Sequence, residues 1–239
     1  MDEVLDRLVD TAWEKFTVQT PRDRRFLIGI GGIPGSGKTT LSKRLTAALN
    51  ARHAAQFPGS PPVAIFVPMD GFHYTRAQLD AMPDPATAHA RRGAEFTFDG
   101  ERFHQLVRRL HAPLTAATPT IYAPSFDHAA KDPKEDDIAV EPTHRIVVLE
   151  GNYLLLSKPP WSSTYPLFSH TIFVSAPPEL ARARLAARHL AAGLAATPEE
   201  ADRRAVENDL PNGAEILRLR VAAVDEVVES REDGGWVCG

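Results

Sequence analysis

The chain has 239 residues, of which 43% are hydrophobic and 24% charged, so it can bury the core of one α/β domain and is unlike a disordered chain. Its formal net charge of −4 argues against nonspecific nucleic-acid binding, which needs a basic surface. With one cysteine, Cys238, it can form no internal disulfide, and it has no apolar run of membrane-spanning length. We therefore expect a cytoplasmic protein that binds neither nucleic acid nor membrane.

The first predicted element is a helix. Apolar residues within 2–17 recur at helical spacing, namely Val4, Leu5, Leu8, Val9, Ala12, Trp13 and Phe16. This pattern indicates an N-terminal helix, within residues 1–20, that packs on the rest of the domain. A helix that binds a partner is the alternative.

A glycine-rich turn follows, between a short apolar strand predicted at 26–30 and a stretch with helical spacing at 40–52. Residues 32–40 read Gly-Ile-Pro-Gly-Ser-Gly-Lys-Thr-Thr and fit the P-loop pattern G-x-x-x-x-G-K-[ST]. Glycines let the backbone curl so that several N–H groups face one phosphate, and the start of the next helix adds its dipole. We expect a nucleoside triphosphate to bind the following residues: Gly32, Pro34, Gly35, Ser36, Gly37, Lys38, Thr39 and Thr40.

Two residues of this loop have more specific expected roles. Lys38 should reach the β- and γ-phosphates, and the hydroxyl of Thr39 should coordinate Mg²⁺. The alternatives are a chance glycine-rich turn and a dinucleotide-binding fingerprint begun by Gly29 and Gly31. The fingerprint is the weaker match, because Pro34 occupies its third glycine position and because it does not require a lysine.

The remaining elements alternate between strands and helices. Further apolar strands are predicted at 63–67, 145–150, 171–174 and 225–230, with short strand-like pieces at 120–122 and 138–140. Helices are predicted at 103–110, after Asp99 as a capping residue, and at 178–192 and 198–208. Residues 82–98 look irregular. The alternation predicts a parallel sheet covered by helices on both faces, in a single domain of residues 1–239.

Two acids directly follow buried strands. In a parallel sheet, ligands bind at the carboxyl ends of the strands, so Asp70 and Glu150 should lie beside the P-loop. Glu150 ends a strand of the Walker B type and would lie near Mg²⁺; the alternative is a solvated strand end. Asp70 could accept the proton of an acceptor hydroxyl, or it could simply form a turn with Gly71.

The segment 178–204 is rich in arginine. Arg184 and Arg188 are four residues apart and share one helix face, which could clamp phosphates. The alternative is a solvated face paired with Glu199, Glu200 and Glu207. We prefer that alternative for Arg182, Arg203 and Arg204.

Together these residues resemble the uridine kinase, phosphoribulokinase and bacterial pantothenate kinase group of P-loop kinases. The resemblance is carried by the P-loop, by 69–73 (Met-Asp-Gly-Phe-His), by 149–153 (Leu-Glu-Gly-Asn-Tyr) and by the arginine helix, and it spans roughly residues 25–215. It implies ATP and Mg²⁺ as cofactors, Asp70 as the catalytic base, Glu150 near the metal, and a lid, residues 178–208, that carries Arg184 and Arg188.

Within that group, the chain looks similar to a less characterised, nucleoside-kinase-like branch that includes a yeast ATP-dependent kinase and bacterial proteins labelled as fructose-transport or pantothenate-type kinases. This closer similarity is carried by residues 70–74, 92–99, 124–128 and 208–212 (Asn-Asp-Leu-Pro-Asn). Two departures leave uridine specificity open. Phe126 stands where uridine kinases usually have Tyr, and His189 follows Arg188 where the lid usually continues Arg-Asp.

The resulting hypothesis is a single-domain α/β kinase that transfers the γ-phosphoryl of ATP to a hydroxyl of a small metabolite, which would be nucleoside-, pantothenate- or sugar-like. Lys38, Asp70 and Arg188 would be catalytic, and the insertions at 82–143 would lie on the substrate side. The expected acceptor contacts are His73, Arg92, Phe98 and Phe126.

Other kinds of protein stay open. One is a nucleotide-dependent regulatory module, although the N-K-x-D tetrapeptide of GTPases is absent from the sequence. Another is an inactive kinase, and a homodimer is left open as an assembly.

Overall fold

The computed structural model describes residues 1–232 and Trp236; Cys238 lies outside the described residues. The strands in this part of the chain are β1 (Phe26–Gly32), β2 (Ala64–Pro68), β3 (Ile121–Asp127), β4 (Asp132–Val140), β5 (Ile146–Gly151), β6 (His170–Ser175) and β7 (Glu226–Glu229). The helices are α1 (Asp2–Glu14), α2 (Lys38–Gln56), α3 (Arg76–Asp80), α4 (Pro85–Ala90), α5 (Gly100–His111), α6 (Trp161–Thr164), α7 (Pro178–Ala191), α8 (Pro198–Arg204) and α9 (Leu210–Leu219). Among the described residues, no helix is long and apolar enough to cross a membrane.

The central sheet is parallel and has five strands in the order β2-β5-β1-β6-β7. All residues of β1 and β5 are buried, as expected for inner strands that are covered on both faces. Glu150 of β5 is in register with Ile30 of β1 on one side and with Pro68 of β2 on the other. The predicted α/β fold with a parallel sheet is confirmed, and the P-loop, Glu150 and Asp70 are at the carboxyl ends of adjacent strands.

Two apolar clusters cover the two faces of the sheet, because successive residues of a strand point to opposite sides. Ile28 of β1 packs with α1 and α2, through residues that include Leu8, Trp13, Leu41 and Leu45. Leu27 belongs to the other cluster, which includes Phe103, Trp161 and Ile216. The N-terminal helix therefore packs on the domain, as the sequence predicted.

The acceptor-side segment is more regular than the sequence indicated. Residues 82–98 were predicted to be irregular, but they contain α4, whose capping residue Asp84 accepts a hydrogen bond of 3.1 Å from the Thr87 amide. The two short strand-like pieces are the ends of a longer antiparallel hairpin, β3–β4. Its β4 strand is largely exposed and polar, so it lacks the apolar alternation that marks a strand in sequence.

The predicted helix at 198–208 is α8 followed by a π-helical turn, Ala205–Asp209, and the chain then continues directly into α9. We did not predict α9. Pro211 suggests that a helix stops there, but it lies near the start of α9, directly after the π-helical turn.

Candidate active site

The loop between β1 and α2 depends on two residues with positive φ. Gly35 has φ +77° and Gly37 has φ +84°, a backbone region that disfavours residues with a Cβ. A Cβ on Gly35 would also lie 2.6 Å from the carbonyl oxygen of Ala181, so the loop packs tightly against α7. The loop leads into the N-terminus of α2, whose first N–H groups are available to an anion.

The polar groups in this loop fit a bound triphosphate. The hydroxyl of Ser36 is fully buried and has no hydrogen-bond partner in the described part of the chain. The Lys38 ammonium is also buried, and its contacts are long: 3.4 Å to the Ile33 carbonyl oxygen and 3.9 Å to Oε1 of Glu150. A buried donor without a partner and a weakly held ammonium are costly in isolation, and phosphate oxygens would satisfy both.

Thr39 and Glu150 meet beside Lys38. The Thr39 hydroxyl donates a hydrogen bond of 3.2 Å to Oε1 of Glu150. Burial raises the pKa of Glu150 to about 7, against the opposing effect of the Lys38 ammonium. Burial likewise lowers the pKa of Lys38, against the effect of Glu150. A hydroxyl and a carboxylate are hard oxygen ligands of the kind that Mg²⁺ prefers, so these two residues fit the metal predicted for them.

Asp70 lies in a 3₁₀ turn, Met69–Phe72, directly after β2, and its side chain is exposed. Burial is the largest cause of the shifted pKa values of Lys38 and Glu150, and the Asp70 carboxylate acts on both: it raises the pKa of Glu150 further and opposes the lowering of the pKa of Lys38. That influence requires Asp70 to lie close to both groups. Asp70 therefore forms the turn that the sequence offered as one alternative, and it also lies near Lys38 and Glu150; its role as the base stays a prediction.

The four expected acceptor contacts come together. The His73 ring lies 3.9 Å from the Phe98 ring and 4.9 Å from the Phe126 ring, measured between centroids, and the Arg92 guanidinium lies 5.6 Å from the Phe126 centroid. His73 also follows Asp70 closely, since its Nδ1 lies 2.8 Å from the Asp70 carbonyl oxygen. Burial lowers the pKa of His73. These residues form an aromatic cluster with one cation beside Asp70.

Two members of this cluster have limited freedom. Phe98 is buried in the core beneath His73. Arg92 donates to Oδ1 of Asp132 and to the Tyr74 carbonyl, each over 2.9 Å, and to the Lys131 carbonyl over 2.6 Å. His73 and Phe126 are partly exposed and are therefore the more accessible pair.

The lid arginines differ in their surroundings. Arg184 donates to Oγ of Ser230 over 2.6 Å and to the Gly35 carbonyl over 3.4 Å, so it braces the P-loop. Arg188 is more exposed, 3.8 Å from Oδ1 of Asp209, and its charge is one of the smaller causes of the lowered pKa of Lys38, after burial. Arg188 thus lies near Lys38, and the long contact with Asp209 is its one ion pair within residues 1–232.

The other arginines of the lid only partly follow the expected pattern. Arg182 pairs with Asp202 rather than with a glutamate, over 2.6 Å. Arg203 and Arg204 make no ion pair within residues 1–232 and instead line a cavity of about 480 Å³ between the end of α4 and α8. Glu200 and Glu207 line the same cavity without pairing with them.

Sequence reasoning missed one group of residues in this region. Asp209 bonds to His189, and Asn208 and Asn212 both accept hydrogen bonds from Arg91. The sequence signal for these residues is the stretch 208–212, which carries part of the similarity to the nucleoside-kinase-like branch.

No protein-family model matches the chain. Among curated proteins, the chain is 51% identical over 168 residues to "ATP-dependent kinase-like protein notR'" of Aspergillus versicolor, covering 70% of this chain and 95% of that protein. It is 48% identical over 189 residues to "Putative uridine kinase C227.14" of Schizosaccharomyces pombe, covering 79% of this chain and 77% of that protein. Among solved structures, YFH7 of Saccharomyces cerevisiae matches with a TM-score of 0.80 at 25% identity, over 97% of this chain and 99% of that one. The chain therefore belongs to the family of P-loop kinases related to uridine kinase and to YFH7.

Proposed function

We propose that the chain is an ATP-dependent kinase that transfers the γ-phosphoryl group to a hydroxyl of a small metabolite of nucleoside-, pantothenate- or sugar-like chemistry. The observation that carries this proposal is the position of Asp70. Its exposed carboxylate stands at the end of β2, near the buried Lys38–Glu150 pair. A kinase needs a carboxylate there to orient its acceptor, whereas a nucleotide-dependent switch does not.

The nucleotide side is built by the loop and the first turn of α2. Lys38 and the loop amides would hold the β- and γ-phosphates, while Thr39 and Glu150 would hold Mg²⁺. Bound Mg²⁺ neutralises negative charge on the phosphate oxygens. Because a ligating carboxylate must be deprotonated, Glu150 must lose its proton when the metal binds.

On the acceptor side, Asp70 would orient the hydroxyl and accept its proton as the oxygen bonds to the γ-phosphorus. The bond between that phosphorus and the β–γ bridging oxygen breaks, and ADP leaves. Residues 82–143 would shape the acceptor side, with His73, Phe126, Phe98 and Arg92 around the substrate. Arg188 would close over the phosphates from the lid, residues 178–208, and so exclude water that would otherwise hydrolyse ATP.

The test is a screen of purified protein for acceptor-dependent ADP release with nucleosides, pantothenate, sugars and vitamin alcohols. Calorimetry on Lys38→Ala should show ATP binding weakened by about 10- to 100-fold, the value of a charge-assisted contact. Asp70→Asn should bind ATP like the parent, while transfer falls by about 10²–10⁴-fold.

The alternatives give different results. An Asp70 that only forms a turn would be replaced well by Asn, so full activity of Asp70→Asn would exclude it as the base. A regulatory module would bind ATP but show no acceptor-dependent ADP release, and that outcome would overturn the proposed function.

A further inference from the structure

The π-helical turn Ala205–Asp209 contacts both helix α7 and the loop at 91–93. Such turns are rare and frequently occur at functional sites. The last two residues of this turn, Asn208 and Asp209, are largely buried and carry hydrogen bonds in two different directions. They are adjacent in the backbone, so a shift of one is transmitted to the other.

Asp209 faces the arginine helix α7. Its Oδ2 lies 2.8 Å from Nε2 of His189, and its Oδ1 lies 3.8 Å from Nη2 of Arg188. The Asp209 carboxylate is also near enough to Lys38 to oppose, as a minor contribution, the burial that lowers the pKa of that lysine. Asp209 therefore holds the C-terminal part of α7, the helix that contacts the P-loop through its N-terminal half.

Asn208 faces the acceptor-side loop at 91–93. Its Oδ1 accepts a hydrogen bond of 3.0 Å from Nε of Arg91, and its Nδ2 donates to the carbonyl of Arg92 over 3.2 Å. Asn212 completes the clamp, because it accepts from Nη2 of Arg91 over 2.8 Å. The side chain of Arg92 reaches Phe126, so this clamp sets the backbone position of one member of the acceptor cluster.

We propose that Asn208 and Asp209 are positioning residues that couple helix α7 on the nucleotide side to the loop at 91–93 on the acceptor side, so that occupation of one site orders the other. This inference rests on the proposed function, since it requires the P-loop to bind nucleotide. Neither residue touches the reacting atoms in this scheme. They act through Arg188, Arg91 and Arg92.

The same lid contains a matched control. Arg182 of α7 and Asp202 of α8 form a bidentate pair, with both distances 2.6 Å, and both side chains are about 40% exposed. This pair joins α7 to α8, the helix directly before the π-helical turn, through the same kind of carboxylate, but it has no contact with the loop at 91–93 among the described residues. Asp202→Ala therefore removes a lid contact without removing the coupling.

The experiment is hydrogen–deuterium exchange, with and without the non-hydrolysable analogue AMP-PNP and Mg²⁺ at saturation, on the parent, Asp209→Ala, Asn208→Ala and Asp202→Ala. Nucleotide affinity is measured by calorimetry for each protein. In the parent and in Asp202→Ala, the analogue should slow exchange of the amides at 90–94 by about fivefold or more, the low end of typical coupling between sites. In Asp209→Ala and Asn208→Ala this slowing should be lost while the nucleotide still binds.

The outcomes separate the two proposals. If the parent does not bind the analogue, the proposed function fails and the coupling falls with it. If the parent binds the analogue without protection at 90–94, or if the Asp209 and Asn208 variants keep the protection, the coupling is overturned and the proposed function stands. Should Asp209→Ala fail to fold, as judged by circular dichroism, Asn208→Ala decides the question, because it leaves the contact between Asp209 and His189 in place.

Discussion

The hydroxyl of Thr39 and the carboxylate of Glu150 are joined by a hydrogen bond of 3.2 Å, which connects the first turn of α2 to the end of β5. These residues are far apart in sequence, and the bond forms because β5 lies directly beside β1, the strand that leads into the P-loop. The pair presents two oxygens beside the Lys38 ammonium. These two oxygens would hold a metal ion.

Binding of nucleotide with Mg²⁺ should therefore depend on pH through Glu150. Burial raises the pKa of this carboxyl to about 7, so the acid is protonated below that pH and must release a proton to bind the metal. The Mg²⁺-dependent part of the affinity should weaken as the pH falls below about 7 and level off above about 8. Calorimetric titrations at about pH 6, 7 and 8, with and without Mg²⁺, measure this. Glu150→Gln should lose both the Mg²⁺ effect and its pH slope; an unchanged slope would assign the proton to another group.

Gly35→Ala should weaken nucleotide binding by more than the strain of an alanine at positive φ alone would cause. The new Cβ would carry the left-handed strain of φ +77°, about 1–2 kcal/mol, and would also lie 2.6 Å from the Ala181 carbonyl oxygen. Gly59→Ala is the control, since φ is +84° there and, apart from its chain neighbours, no described residue has an atom within 4 Å of the new Cβ. In urea unfolding, we expect the backbone strain to lower the free energy of unfolding of both variants. Only the Gly35 variant should also lose nucleotide binding. Equal behaviour of the two variants would show that contact with α7 does not shape the loop.

Phe126→Ala should weaken binding of the acceptor and leave ATP binding unchanged. The Phe126 ring packs against His73 beside Asp70, and loss of an aromatic contact should raise the acceptor KM by about 3- to 10-fold. Steady-state kinetics with the acceptor from the screen measure this. Tyr122→Ala is the control, because Tyr122 lies on the same strand, β3, but is half exposed. A change in the KM for ATP instead would place Phe126 on the nucleotide side.

Asp225→Asn should lower stability at neutral pH by an amount that shrinks in acid. Burial alone would raise the pKa of Asp225, but hydrogen bonds from Thr171 and Lys15 hold it at about 2. A depressed pKa in the folded state means that the carboxylate stabilises the fold above the ordinary pKa of about 4. That contribution is lost as the pH falls from about 4 towards 2.

Urea unfolding of the parent and of Asp225→Asn across this range measures the difference in free energy of unfolding. Asp6→Asn, an exposed position on α1, is the control and should have little effect. A difference that stayed constant down to about pH 3 would mean that the charge of Asp225 does not matter.

The sequence was informative wherever the chemistry is local. A phosphate-binding loop needs glycines, a lysine and a hydroxyl at fixed spacing, so residues 32–40 predicted the loop without any knowledge of the fold. Buried parallel strands are nearly continuous apolar runs, so the strands at 26–30, 63–67 and 145–150 were found to within about two residues. The capping of α5 by Asp99 was also predicted, and Asp99 accepts a hydrogen bond of 2.9 Å from the Arg102 amide.

Tertiary structure decided which of these parts meet. The strand order β2-β5-β1 places Glu150 between Ile30 and Pro68, and so brings Asp70 and the P-loop to either side of one carboxylate. Nothing local in the sequence specifies that order, because it depends on pairing between strands that are far apart in the chain. The hydrogen bonds of Asn208 and Asp209 were hidden for the same reason: the packing of the lid against the acceptor-side loop brings Arg91 to Asn208, and packing within the lid brings His189 to Asp209.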